Sequence, residues 1–223
     1  MTRLIALLIF VLAALAVTPA QAATMVGDQA CFQEGEPVNL VGTGFTPGGR
    51  VDFSRDNLAA GSLTADPTGG IEGRISAPSI SPRRERPFSL VATDAANPAN
   101  SAGIAPLATV FDVKVVPLGG NPARRRRITA RGFTEGRTLY VHVRRRGRGK
   151  NTRLGRLKRP CGTKRLRKRL FKRGARHGIY RVQFDTRRRY SSKTFPKATY
   201  RVTIFPTLAS AAFATGERWV RIR

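Results

Sequence analysis

The stretch LVGTGFTPGGRVDFS, residues 40–54, and the stretch ITARGFTEGRTLYVH, residues 128–142, carry the same pattern of turn and strand residues. At a constant offset of 88 the matched pairs are Gly44/Gly132, Phe45/Phe133, Thr46/Thr134, Gly48/Gly136, Val51/Leu139 and Phe53/Val141. A pattern that recurs at one spacing is the signature of tandem structural units. We therefore expect one module to occur twice in this chain.

The match continues past these stretches with a drifting offset, as loops of unequal length require. GSL (61–63) corresponds to GRL (155–157), and FSLVA (88–92) corresponds to YRVQF (180–184). We expect VFDVKV (110–115) to be the last strand of the first module and the counterpart of YRVTIF near the end of the second.

Apolar residues alternate with polar ones in both halves, for example at Val51/Phe53, Phe88/Leu90/Ala92, Leu139/Val141/Val143, Tyr180/Val182/Phe184 and Tyr200/Val202/Ile204. Period two with β-branched and aromatic enrichment predicts half-buried strands. Glycine and proline punctuate the gaps, as in TPGG and DPTGG. The pattern predicts an all-β chain in which each half folds as an antiparallel sandwich.

The first half also resembles a known family. GTGFTPGGRVDFS, followed by GSLTADPTGGIEGRIS and FSLVATD, is similar to the immunoglobulin-like repeat modules of secreted and cell-surface bacterial proteins. The likeness covers most of residues 37–115; in the second half only GFTEG and the strand spacing carry it, and Glu135 replaces the turn proline. The resemblance implies two tandem immunoglobulin-like antiparallel β-sandwiches with a spacer, adhesion or presentation role and no catalytic residues.

The first residues indicate export. Arg3 precedes an apolar run from Leu4 to Val17, which ends before Ala20-Gln21-Ala22. A short basic start, an apolar core and a small-x-small site are typical of a secretory signal peptide. The run has 14 residues, short of the roughly 20 that span a bilayer. We expect cleavage after Ala22, a secreted or envelope-associated protein, and no transmembrane anchor after cleavage.

Charge divides the remaining chain. Residues 23–120 hold seven Lys and Arg against ten Asp and Glu, whereas residues 121–223 hold 33 Lys and Arg against three acids. A change this abrupt marks a boundary between bodies with different surfaces. We expect a signal peptide at 1–22, a mildly acidic module at 23–117, a linker at 118–126 and a strongly basic module at 127–223.

The basic module carries runs at 124–127, 144–150, 156–159, 164–173 and 187–189. Guanidinium groups bind phosphate and carboxylate in bidentate fashion, so a dense field of them favours polyanions. The predicted anion-binding set, diffuse in character, is Arg144, Arg145, Arg146, Arg148, Lys150, Lys164, Arg165, Arg167, Arg169, Lys172 and Arg173.

The expected partner is an anionic polymer or surface of the cell envelope, with other surface proteins as an additional class. Aromatic residues do not interleave with the basic runs as a base-stacking platform requires, which argues against nucleic acid as the physiological partner. A spacer or adhesion protein with no specific anion ligand is the alternative, in which the charge serves solubility.

The segment KRLRKRLFKR, residues 164–173, fits two local structures. Aligning it with GGIEGRIS of the first module predicts a strand with Leu166 and Leu170 opposite Ile71 and Ile75, facing inward, and its arginines facing outward. Leucines four apart also share one face of a helix, so a helix remains the alternative.

Cys31 and Cys161 are the only cysteines, one in each module. Export permits a disulfide, and a Cys31–Cys161 bridge would clamp the modules together. Two cysteines also allow an intermolecular bridge or two free thiols. We favour the clamp.

Residue patterns for catalysis are sparse. The mature chain has two histidines, His142 and His177, and lacks Gly-x-Ser-x-Gly, Ser-x-x-Lys and His-Glu-x-x-His. The acids Asp52, Asp56, Asp66 and Glu72 lie in predicted turns and strands and are interpreted as solvated surface. We expect no enzyme, no cofactor and no metal site; a Cys161-dependent enzyme is a further alternative.

Overall fold

A computed structural model describes residues 22–80, 85–205 and 218–220, and every regular element in them is a β-strand. The strands are β1 Thr24–Gly27, β2 Cys31–Gln33, β3 Pro37–Thr43, β4 Arg50–Arg55, β5 Leu58–Thr64, β6 Ile71–Ser76, β7 Arg86–Pro87, β8 Leu90–Asp94, β9 Ser101–Ile104, β10 Leu107–Thr109, β11 Asp112–Val116, β12 Arg126–Arg131, β13 Thr138–Arg145, β14 Arg148–Arg156, β15 Lys164–Lys168, β16 Gly178–Asp185, β17 Ala198–Ile204 and β18 Arg218–Val220.

The predicted all-β fold class is confirmed. In the first module, a sheet of order β1-β3-β6 and a sheet of order β5-β4-β8-β9 contribute inward side chains to one core. In the second, sheets of order β11-β12-β15 and β14-β13-β16-β17-β18 do the same for another core. Both modules are therefore immunoglobulin-like sandwiches whose two main sheets are antiparallel and follow one strand order, with β18 added at the edge of the second module. A small sheet of order β2-β10-β7, in which β10 pairs parallel with β2, completes the first module.

The repeated glycines take the same conformation in both modules. Gly44 and Gly132 have φ of 87° and 77°, and Gly48 and Gly136 have φ of 65° and 83°. Residues other than glycine adopt this left-handed region at a cost. A Cβ on Gly132 would also lie 2.6 Å from the Cα of Phe111, so backbone packing fixes glycine there.

The prediction that residues 110–115 form the last strand of the first module is wrong. β11 pairs with β12, with Val113 opposite Ala130 and Val115 opposite Ile128, and Val113 and Val115 lie in the second core. The counterpart of β11 is β1, because Met25 pairs with Gly42 as Val113 pairs with Ala130, at the same offset of 88.

The second module therefore begins near residue 111 and not after a linker at 118–126. The counterpart of β17 is β9: β9 pairs with β8, which lies beside β4, and β17 pairs with β16, which lies beside β13. Alternation alone could not show this, because a strand presents the same inward face whichever sheet it joins.

The predicted signal peptide, 1–22, lies outside the described residues except for Ala22. Over the described part of the chain, no helix has the length and apolar character needed to cross a membrane.

Candidate anion-binding groove

The segment 164–173 begins as a strand. β15 pairs antiparallel with β12, and Leu166 and Leu170 pack against the core while Arg165, Arg167 and Arg169 are exposed. The strand prediction and its inward and outward faces are confirmed over Lys164–Lys168.

The predicted register of this strand is shifted by two residues. Leu166 pairs with Ile128 as Gly73 pairs with Leu40, so Leu166 corresponds to Gly73 and not to Ile71. A shift of two keeps every side chain on its original face, which is why the burial pattern was still predicted correctly.

The hairpin between β13 and β14 places a second set of cations close by. Arg145 pairs with Arg148, and the two residues between them, Arg146 and Gly147, have φ of 45° and 76°. Two successive positive φ angles are typical of the type I′ turn, which suits the twist of a tight hairpin. This turn brings basic side chains together at the tip of an edge strand.

A groove of about 800 Å³ lies between this hairpin and residues 168–175. We call it the basic groove and define it by its lining residues: Val143, Arg145, Arg148, Gly149, Lys150, Thr152, Lys168, Arg169, Leu170, Phe171, Lys172, Ala175 and Tyr180. It unites five members of the predicted anion-binding set, namely Arg145, Arg148, Lys150, Arg169 and Lys172.

The floor of the basic groove includes two aromatic rings that contact each other. The ring of Tyr180 meets that of Phe171 edge-on at 5.1 Å, and the guanidinium of Arg145 lies 5.5 Å from the Tyr180 centroid. Arg145 Nη2 donates to the carbonyl of His177 at 2.7 Å, and Tyr180 Oη donates to the carbonyl of Arg176 at 2.8 Å. These contacts hold the Tyr180 and Arg145 side chains in place.

Arg126 lies directly beneath this floor, with its guanidinium 4.8 Å from the Phe171 centroid. Arg126 is fully buried and donates to the backbone carbonyls of Leu118, Gly119, Asn121 and Arg124. Burial and the charge of Arg124 lower the pKa of Arg126 to about 10, so the group stays charged at neutral pH. In the sequence Arg126 stands inside the basic run 124–127, and nothing there distinguishes it from its exposed neighbours.

The other predicted anion-binding residues lie elsewhere. Lys164 and Arg165 line a separate cleft of about 850 Å³ with Arg131, Arg156, Lys158 and Glu85. Arg146, Arg167 and Arg173 are exposed outside both spaces, and Arg144 stacks on Tyr190 at 4.6 Å while donating to Asn151. The predicted set is therefore spread over several sites of the second module.

A buried polar cluster that the sequence did not reveal centres on His142. His142 Nε2 lies 2.9 Å from Asp185 Oδ1 and Nδ1 lies 2.9 Å from Asn151 Oδ1, with both His142 and Asp185 fully buried. Burial opposes a charged ring, but the hydrogen bonds to Asp185 and Asn151, with the charge of Asp185, raise the pKa of His142 overall. With both ring nitrogens occupied and no surface exposed, His142 serves packing.

Cys31 and Cys161 form a disulfide that joins the modules, with their Cα atoms 5.2 Å apart. Gln33 Nε2 donates to the Gly132 carbonyl at 2.9 Å beside it. Within the described residues no cysteine is free, and this disulfide leaves Cys161 no thiol for the Cys161-dependent chemistry that the sequence allowed.

The first-module acids have structural partners. Asp52 pairs with Arg50 at 2.7 Å and Asp56 with Arg86 at 3.0 Å. The Thr68 hydroxyl and the Gly70 amide lower the pKa of Asp66 by hydrogen bonding within its turn. Across the described ranges no group of three potential metal ligands occurs.

Comparison with protein-family models and with curated proteins finds no match. Among solved structures, one similar chain is macromomycin, at TM-score 0.31 and 16% identity over 40% of this chain and 99% of that one. Fibronectin(III)-like modules of Clostridium thermocellum CbhA match at TM-score 0.27 and 15% identity, over 86% and 100%. Red sea bream transglutaminase matches at TM-score 0.29 and 10% identity, over 89% and 33%.

Proposed function

We propose that this chain is an exported, non-enzymatic protein whose basic second module attaches to anionic polymers or surfaces of the cell envelope, while the first module acts as a spacer. The observation that carries the proposal is the opposite charge of two copies of one fold. Residues 23–110 have three more acids than bases, and residues 111–223 have thirty more bases than acids.

The two modules also differ in how many of their cations are paired with carboxylates, and this supports the proposed anion binding. Arg50 and Arg86 of the first module each contact a carboxylate. In contrast, the cations of the basic groove have no carboxylate within 4.0 Å among the described residues. Clustered like charges oppose folding, and a bound polyanion would relieve that repulsion.

Attachment of a long polymer would be diffuse. The cations lie in the basic groove, in the cleft beside β15 and on the exposed face of that strand, so many weak contacts add up and no single residue is essential. Such binding weakens steeply with salt, because each neutralised anion releases counterions.

A spacer or adhesion protein without an anion ligand is the competing function, supported by the fold alone. This competing function predicts that arginine substitutions in the two modules have equal effects on polyanion binding. Export is part of both proposals and is supported by the pattern of residues 1–22.

A salt series with matched variants separates these functions. Duplex DNA serves as a probe of charge with a calibrated slope of about −0.9 per neutralised phosphate in log K against log salt. We compare the mature chain, the double variant Arg165→Gln with Arg167→Gln, and a control, Arg50→Gln with Arg74→Gln. All four residues are exposed on strands, and each pair removes the same charge.

The proposal predicts a steep slope for the mature chain, reduced by about one to two in the second-module variant and unchanged in the control. Equal effects of the two variants, or a flat dependence, would assign the charge to solubility and leave the spacer function.

A further inference from the structure

The basic groove has an apolar floor that charge alone does not require. Val143 and Phe171 form its buried base, and the partly exposed Leu170 and Tyr180 extend it. Its volume of about 800 Å³ falls within the roughly 300–1,000 Å³ of small-molecule sites. The groove can therefore enclose part of a discrete ligand.

Cations come from both elements that border this floor. Arg145, Arg148 and Lys150 belong to the β13–β14 hairpin, and Lys168, Arg169 and Lys172 belong to the segment 164–173. Arg169 Nε also donates to the carbonyl of Ala123 at 2.9 Å. Together with the buried charge of Arg126 under Phe171, these cations create a strongly positive potential. A compact, highly charged anion such as a phosphate matches this arrangement.

The groove is poor in neutral hydrogen-bonding side chains. Thr152 is one, and the Tyr180 hydroxyl already donates to the Arg176 carbonyl. The cations that line it donate hydrogen bonds and accept none, so the hydroxyl hydrogens of a sugar ring would find few side-chain acceptors there, which costs affinity. A hydrocarbon chain loses nothing on this floor and gains from burial.

We propose that the basic groove binds the phosphate group of an anionic lipid, with the phosphate among the cations of these two elements and the start of an acyl chain on Val143, Leu170, Phe171 and Tyr180. The inference rests on the proposed function, in that it uses the same basic module, and adds a discrete site and a ligand class to it.

Calorimetric titration of the mature chain with dihexanoyl phosphatidic acid, kept below its micelle-forming concentration, tests this. Glycerol 3-phosphate has the same charged group without chains, and dihexanoyl phosphatidylcholine has the same chains without net charge. We expect phosphatidic acid to bind at least about tenfold more tightly than either, because each chain carbon removed from water adds to affinity.

Two matched variants locate the site. Arg148→Glu with Lys172→Glu reverses two exposed cations of the groove, and Arg188→Glu with Arg189→Glu reverses two exposed cations outside it. We expect the first to lose phosphatidic acid binding and the second to keep it. Leu170→Asn should remove the advantage of phosphatidic acid over glycerol 3-phosphate and leave glycerol 3-phosphate binding unchanged.

Equal affinity for phosphatidic acid and glycerol 3-phosphate, or equal loss in the two charge variants, would overturn the lipid site. The duplex DNA series separates this from the proposed function. If DNA binds with a steep salt slope and phosphatidic acid does not bind, the lipid site alone fails; if neither binds, both fail.

Discussion

The main sheets of the two modules share a strand order, apart from the added β18, and the modules differ in the charge of their surfaces. Strands β1, β3 and β4 repeat as β11, β12 and β13 at a constant offset of 88, and the inward residues Val51 and Phe53 have buried counterparts in Leu139 and Val141. The outward positions have changed from mildly acidic to strongly basic. The fold thus depends on the inward residues and the turn glycines, and it does not dictate the charge.

The most severe test of this equivalence compares the core phenylalanines that follow the first repeated glycine. Phe45 is 3% and Phe133 0% exposed, and truncating a buried phenylalanine costs about 3–5 kcal/mol. We expect Phe45→Ala and Phe133→Ala to lower the free energy of unfolding of their modules by similar amounts in urea titrations. A loss below about 1 kcal/mol at either position would show that the modules do not use equivalent cores.

The disulfide tests whether the modules act as one unit. Cys31 and Cys161 are 130 residues apart, and removing a native bridge typically costs about 2–5 kcal/mol. We expect the variant Cys31→Ser with Cys161→Ser to unfold at lower urea and to split one transition into two. Reductant should shift the native protein in the same way and leave the variant unchanged; a native protein insensitive to reductant would contradict the clamp.

The stability of the two modules should also differ in its dependence on pH, by a smaller amount, because only the second module buries a histidine among the described residues. The pKa of His142 is raised on folding, so its contribution is fully present below the unfolded value of about 6.5 and is lost as pH rises through the folded value.

We therefore expect the free energy of unfolding to fall above pH 6.5, by at most about 1.4 kcal/mol per pH unit. His142→Gln should flatten this part of the profile. An identical slope in the variant would show that His142 is not charged in the folded state.

The sequence predicted the parts of the fold that local pattern determines. The turn glycines, the inward alternation and the strand at Lys164–Lys168 follow from backbone sterics and period two, and the structure confirms them. The placement of residues 110–115 was wrong because alternation does not say which sheet a strand joins.

The site was only partly predictable for a different reason. Charge identified Arg145, Arg148 and Lys172, but their convergence on Phe171 and Tyr180 depends on pairing between distant strands. Nothing in the sequence indicates that Arg126 is buried, since it stands within a run of four arginines. The His142–Asp185 contact spans 43 residues and likewise required the fold.

Hydrogen exchange of the intact mature chain, with and without duplex DNA at low salt, tests the central claim most directly. The repeat supplies an internal control, because β3 and β4 of the first module correspond to β12 and β13 of the second. We predict slower exchange on binding in the β13–β14 hairpin and in residues 164–173, and no change in β3, β4 and β5. Protection spread equally over both modules, or confined to the first, would contradict the assignment of anion binding to the basic module.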